Sequence, residues 1–96
     1  MSENMKEDIS ALLKLIADLE TEEECALLFE DLCTYKEVES MAQRLKAAKL
    51  LLTGATYADI IKETDISSAT LSRVSRCVKY GKGYKTILKQ QEKQDK

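Results

Sequence analysis

Apolar residues recur along this chain at three- and four-residue intervals, and runs that alternate apolar with polar are missing, so the pattern predicts helices throughout and an all-α fold. Ile9, Leu12, Leu13 and Ile16 share one face of a first amphipathic helix over Met5 to Ala17. Thr21 and Glu24 have capping-box spacing and open a second helix that runs through Leu32, with Leu27, Leu28 and Phe29 among its apolar positions. Acidic side chains crowd its first turn, where the helix dipole favours them. Thr34 and Glu37 repeat the box and start the longest helix, Tyr35 to Thr53. Its predicted stripe is Val38, Met41, Ala42, Leu45, Ala48 and Leu52, and Gly54 closes it. After Gly81-Lys82-Gly83, residues Tyr84 to about Gln91 form a last short helix, and residues 92–96 read as a frayed tail.

Between Thr56 and Lys79 the pattern tightens into two short helices around a turn. Thr56 caps the first, with Asp59 three positions on, and Tyr57 to Thr64 supply about two helical turns. Asp65 tolerates a left-handed backbone better than most residues, Ile66 can plug the angle between the helices, and Ser67 can cap the next. The second helix starts near Ser68. Leu71, Val74 and Val78 share its inner face with Ile66 and the pair Ile60/Ile61. Outward lie Ser68, Ala69, Ser72, Arg73 and Arg76, with Ser75 and Lys79 further along. Small polar groups at the start of a helix allow close entry into a major groove, and the arginines that follow can reach base edges or phosphates. The segment therefore reads as a DNA-reading helix-turn-helix, although two short helices around a turn also occur as a plain packing unit.

Charge sharpens this picture. The 96 residues carry a formal net charge of only -2, which would argue against a polyanionic partner were it evenly spread. It is not: residues 1–43 hold three cations and twelve carboxylates, a net of -9, whereas residues 44–96 hold twelve cations and five carboxylates, a net of +7. Such a layout draws a polyanion to the C-terminal half and repels it from the N-terminal half, favouring one docking orientation.

Composition narrows the alternatives. With no histidine, and with Cys25, Cys33 and Cys77 forming no C-x-x-C pair, neither a zinc-finger framework nor a Cys/His nucleophile pair is present. No glycine-rich phosphate loop or inward pair of carboxylates points to an enzyme. Cys25 and Cys33 are expected as buried small hydrophobes, as suits a reducing compartment. The polar, acidic start of the chain is unlike a secretion signal, and no stretch approaches the roughly 20 apolar residues needed to span a bilayer. The expected setting is the cytoplasm, without membrane attachment. A chain of this length reads as one domain, residues 1–96, with a modest core unless it shares one with a partner.

Six helices, the fourth and fifth forming the reading unit, resemble the Trp-repressor superfamily. The segments Asp31-Leu-Cys-Thr-Tyr-Lys-Glu-Val-Glu and Met41-Ala-Gln-Arg-Leu-Lys-Ala-Ala-Lys-Leu-Leu, followed by Gly54-x-x-Tyr-x-x-Ile, are similar to its YerC/YecD branch, and the resemblance extends from about Ile9 to Gln91. It implies an intertwined homodimer in which the N-terminal helices of both subunits build one core. The two recognition helices would enter successive major grooves of double-stranded DNA, at half-sites of a roughly palindromic operator. Carried over by position, Ser67, Ser68, Ala69, Thr70 and Ser72 would lie near base edges, with Arg73 and Arg76 at phosphates or bases and Lys79 beyond them. In Trp repressor the corepressor lies between two arginines, and Arg44 and Arg73 occupy the matching places, with Thr34 at that of a pocket threonine. Val74 stands where the ligand packs on a glycine and adds volume where an indole ring would go. The turn before the recognition helix is one residue shorter here, and Asp59 replaces a basic residue near phosphate. The expectation that follows is no cofactor, with Arg44 and Arg73 as surface or DNA-facing charges without a ligand; an amino-acid corepressor other than tryptophan, held by Thr34, Arg44 and Arg73, is the alternative.

The function these observations imply is a sequence-specific DNA-binding regulator, a repressor that occupies its operator. The competing expectation is a helical protein-interaction module whose acidic N-terminal half docks a basic partner.

Overall fold

A computed structural model describes residues 2–94 of the chain. Six helices follow one another: α1 (Glu3–Asp18), α2 (Glu22–Leu32), α3 (Tyr35–Leu52), α4 (Tyr57–Thr64), α5 (Ser68–Tyr80) and α6 (Gly83–Gln94). No strand occurs among the described residues. The start signals act much as their spacing predicts. Thr21 Oγ1 accepts from the Glu24 amide at 3.0 Å, while the Glu24 carboxylate turns one residue further back than a capping box requires and accepts from the Glu20 amide at 2.7 Å. Around Thr34 the box is reciprocal: the Glu37 amide donates to Thr34 Oγ1 at 3.1 Å, and the Thr34 amide donates to the Glu37 carboxylate at 2.8 Å. The Thr34 amide, and after it the Thr34 hydroxyl, favours the charged form and holds the Glu37 carboxyl below its ordinary value of 4.5. Helix α1 starts earlier than its apolar stripe predicts, because the Ser2 hydroxyl accepts from the Met5 amide at 3.1 Å.

Helix ends are equally local in origin. Gly54 sits at φ +92 just past α3, and the Ala55 amide closes back on the Leu50 carbonyl at 3.1 Å. Gly81 ends α5 for a different reason. Its φ is ordinary, but a Cβ there would lie 2.7 Å from the Cys77 carbonyl oxygen, to which its own amide donates at 2.8 Å. Helix α6 runs from Gly83 to Gln94, so part of the tail expected to fray is helical; Asp95 and Lys96 lie outside the described residues.

The chain divides into two compact units, Met1–Val38 and Glu39–Lys96. In the first, neither α1 nor α2 has a buried residue. Their apolar faces stay open: Leu13 is 59 % exposed and Leu27 68 %. Cys25 and Cys33, expected to be buried, are only half-buried.

The second unit has a closed core. Ala47 and Ala48 of α3, Ile60 of α4, Ile66 of the turn and Leu71, Val74 and Val78 of α5 are buried together, with Leu50, Leu51, Ala55, Tyr84 and Leu88 packed against them. This corrects the predicted stripe of α3. Of its six residues only Ala48 is buried, whereas Leu45 and Leu52 are exposed, because the head packs on the side of α3 that carries the two adjacent alanines.

Candidate nucleic-acid interface

Thr56, at the start of α4, accepts from the Asp59 amide at 3.2 Å. The helix occupies Tyr57–Thr64, as the pattern predicts, and then turns through Asp65 at φ 58, ψ 16, in the left-handed region. Ile66 follows with its side chain 3 % exposed, wedged into the core. Ser67 caps α5, its Oγ accepting from the Thr70 amide at 3.2 Å and donating to Thr70 Oγ1 at 2.9 Å.

Helix α5 is sharply two-sided. Leu71, Val74 and Val78 face the core; Ser68, Ala69, Ser72, Arg73, Arg76 and Lys79 are exposed, as is the Ser67 cap before them. The result is a ridge with a small, polar leading end and three cations along its length. Thr70 is half-buried and held by the Ser67 hydroxyl, which makes it the least accessible member of the expected base-facing set. Two assignments are corrected. Ser75 is 4 % exposed and belongs to the buried side, since it lies four residues after Leu71 and three before Val78 on the inward face. Ile61 is 38 % exposed, so Ile60 alone fills the core from that pair; the inward side of α4 carries Ile60 and Thr64, four residues apart, and Ile61 lies about 100° round from Ile60.

The expected ligand residues are distributed as follows. Thr34 lies in the N-terminal unit, exposed, with its hydroxyl engaged in capping α3. Arg44 and Arg73 lie in the C-terminal unit, Arg73 on the open ridge and Arg44 half-buried, its Nε shielded from solvent with no hydrogen-bond partner. Val74 is 2 % exposed and part of the core. Among the described residues no group of histidine, cysteine or carboxylate side chains could hold a metal ion.

Sequence reading passed over two side chains that shape this site. The Gln43 carboxamide, from α3, donates to the Thr64 carbonyl at 3.2 Å. Lys85 Nζ, from α6, donates to the Lys79 carbonyl at 3.0 Å, placing another cation at the end of α5. The first bond spans 21 residues and the second links two helices across a glycine turn, and no local periodicity flags either pair.

With six helices and this head in place, the chain matches the Trp repressor protein family over residues 7–92. It belongs to that family. The family consists of DNA-binding regulators rather than enzymes, and family and fold together point to a DNA-binding regulator here. Its relatives include the uncharacterised protein YerC of Bacillus subtilis, 47 % identical over 74 residues that span 77 % of this chain and 71 % of that one. Among solved structures, a Staphylococcus aureus protein assigned to the Trp repressors superposes with a TM-score of 0.86 at 38 % identity, over 96 % of both chains. A TrpR-like protein from Eubacterium eligens reaches the same TM-score at 37 % identity over 90 % of each. The chain is thus a YerC-type, Trp-repressor-like protein. Among the described residues no helix is long and apolar enough to cross a membrane.

Proposed function

We propose that this chain is a cytoplasmic, sequence-specific transcriptional repressor that works as a homodimer on a roughly palindromic operator. The observation that carries the reading is the two-sidedness of α5: one face is locked into the core while Ser68, Ala69, Ser72, Arg73, Arg76 and Lys79 stand free on the other. A helix so mounted can enter a major groove without disturbing its own packing, its small leading residues at base edges and its arginines reaching bases or phosphates. Membership of a DNA-binding family supports the same assignment.

Two features support the dimer. Helices α1 and α2 carry apolar faces but bury nothing. In the other unit an open apolar groove of about 470 Å³ lies among Leu45, Cys77, Gly81, Tyr84, Ile87 and Leu88. A soluble monomer rarely leaves so much apolar surface uncovered. Two copies would supply a common core and present two recognition helices to half-sites about one helical turn apart.

The test is enrichment of sheared genomic fragments by the purified protein, followed by titration of the best fragment at several salt concentrations. Affinity should fall steeply with salt as cations on the ridge displace counterions, and Arg73→Ala and Arg76→Ala should each weaken it. Salt-independent binding, or two variants that bind as well as the parent, would show that the ridge is not the reading surface.

Arg44 favours a further layer of the same reading, gating by a small acid such as an amino acid. A shielded guanidinium nitrogen without a partner suits a carboxylate, and Val74, at the place where the resemblance puts a glycine under tryptophan, adds volume that disfavours an indole ring. Repeating the enrichment with individual amino acids added checks this. Unchanged fragment recovery with all of them removes the effector.

A further inference from the structure

The turn that aims α5 is built without the residue that usually eases such a turn. Asp65 adopts φ 58, where a side-chain-bearing residue other than asparagine or aspartate is strained and even these give up stability relative to glycine. A conformation of this kind persists only where its surroundings over-determine it. Three side-chain hydrogen bonds do so here. Thr64 Oγ1 donates to the Ile60 carbonyl at 2.7 Å and accepts from the Ile66 amide at 3.2 Å, so one hydroxyl ties the last turn of α4 to the residue beyond Asp65. The Gln43 carboxamide then reaches from α3 to the Thr64 carbonyl at 3.2 Å. The backbone adds a fourth tie, from the Asp65 amide to the Ile61 carbonyl at 3.0 Å.

These bonds have unequal jobs. Those of Thr64 shape the turn itself and would hold wherever the head moved. The Gln43 bond connects the turn to α3, four residues before the buried pair Ala47 and Ala48 on which the head packs. Helix α5 begins two residues after Ile66, which leaves little chain in which an error of angle could be absorbed. Base-edge contacts require placement within about 0.5 Å and 10–20°.

Resting on the DNA-reading function proposed above, we infer that Gln43 and Thr64 are positioning residues for sequence recognition: their clasp fixes the pitch of α5 relative to α3, so that discrimination between DNA sequences depends on two side chains that never touch DNA. Phosphate contacts tolerate a small change of pitch, because cations on long side chains can follow it. Base contacts do not.

The experiment compares the parent with Gln43→Met, Thr64→Val and Thr64→Ser, using two probes: the genomic fragment the parent enriches most strongly, and a random-sequence duplex of equal length. Gln43→Met keeps the length of the side chain but loses the donor, and Thr64→Val keeps the shape but loses the hydroxyl. Both should lower the specific-to-random affinity ratio by roughly fivefold or more, the size of one lost base contact. Affinity for the random duplex and its salt slope should stay as in the parent. Thr64→Ser, which keeps the hydroxyl, should restore the ratio. In the free protein, amide hydrogen exchange at Ile66, whose amide donates to the Thr64 hydroxyl, should quicken in Thr64→Val and not in Thr64→Ser or Gln43→Met. A Gln43→Met protein that discriminates as well as the parent overturns the clasp while leaving the DNA-reading function intact, and so does a Thr64→Ser protein as impaired as Thr64→Val. A parent that prefers no fragment over random duplex overturns the DNA-reading function itself, and the inference with it.

Discussion

The two units of this chain solve the same problem, an amphipathic helix with an apolar face to cover, in opposite ways. In residues 39–96 four different segments contribute buried residues to one closed core, and Ala47, Ala48, Ile60 and Leu71 are fully withdrawn from solvent. In residues 1–38 helices α1 and α2 are as well capped, yet none of their residues is buried. Good local signals are therefore not enough to make a core. A helix of this kind gains most of its stability from packing its apolar face, and the first unit has its faces ready without a cover of its own. The second unit is built for rigidity and carries the candidate interface.

That contrast can be broken most directly in the first unit. Leu13→Glu combined with Leu27→Glu should abolish assembly and, with it, most of the folded population, since each leucine is worth about 1.5–3 kcal/mol when its side chain is covered. Sedimentation and thermal melting at several protein concentrations would read this out. A doubly substituted protein that sediments and melts like the parent would mean that these faces are never covered.

In the second unit the counterpart is Leu71→Ala, which removes a fully buried side chain between α5 and the rest of the core. It should cost about 2–5 kcal/mol in chemical denaturation. Unlike the first pair, it should leave the apparent oligomeric state of the folded fraction unchanged.

A smaller effect, of opposite sign, is expected at Asp65. Asp65→Gly relieves the left-handed backbone at φ 58 and should stabilise the head by something on the order of 1 kcal/mol, seen as a raised melting temperature. A lowered one would show that the aspartate side chain contributes more to the turn than its backbone costs.

The smallest effect concerns the cap of α3. Glu37 is held below its ordinary value by the Thr34 bonds. A carboxyl depressed in the folded state contributes stability that is present above its unfolded value and lost as pH falls through the folded one. Acidification below 4.5 should therefore loosen this cap, visible as a shift of the Thr34 amide resonance, and Glu37→Gln should remove that titration.

Much of this architecture was legible from residue order, and the particular elements show why. The starts of α2, α3, α4 and α5 each depend on a hydroxyl that accepts from an amide three residues on, and a bond of that reach is written in a four-residue window. The inward trio of α5 needed only a period. The left-handed Asp65 was foreseen because aspartate tolerates that conformation. Misassigned positions lie where period alone leaves a choice. Ser75 and Ile61 sit at the margin of an apolar face, where the period does not say which of them turns inward. The stripe of α3 failed for a related reason. A helix with apolar residues on more than one side does not say which side its own chain will use.

Sequence by itself thus determined the helices, their caps, the cationic outer side of α5 and the uneven distribution of charge, because each follows from neighbours within a few residues or from simple counting. Tertiary structure alone decided that Ala47 and Ala48 form the seat of the head, that Ser75 is inside, that Arg44 Nε is shielded without a partner, and that Gln43 holds the turn from 21 residues away. Contacts of that span depend on where folded helices cross, and no repeat along the chain encodes the crossing.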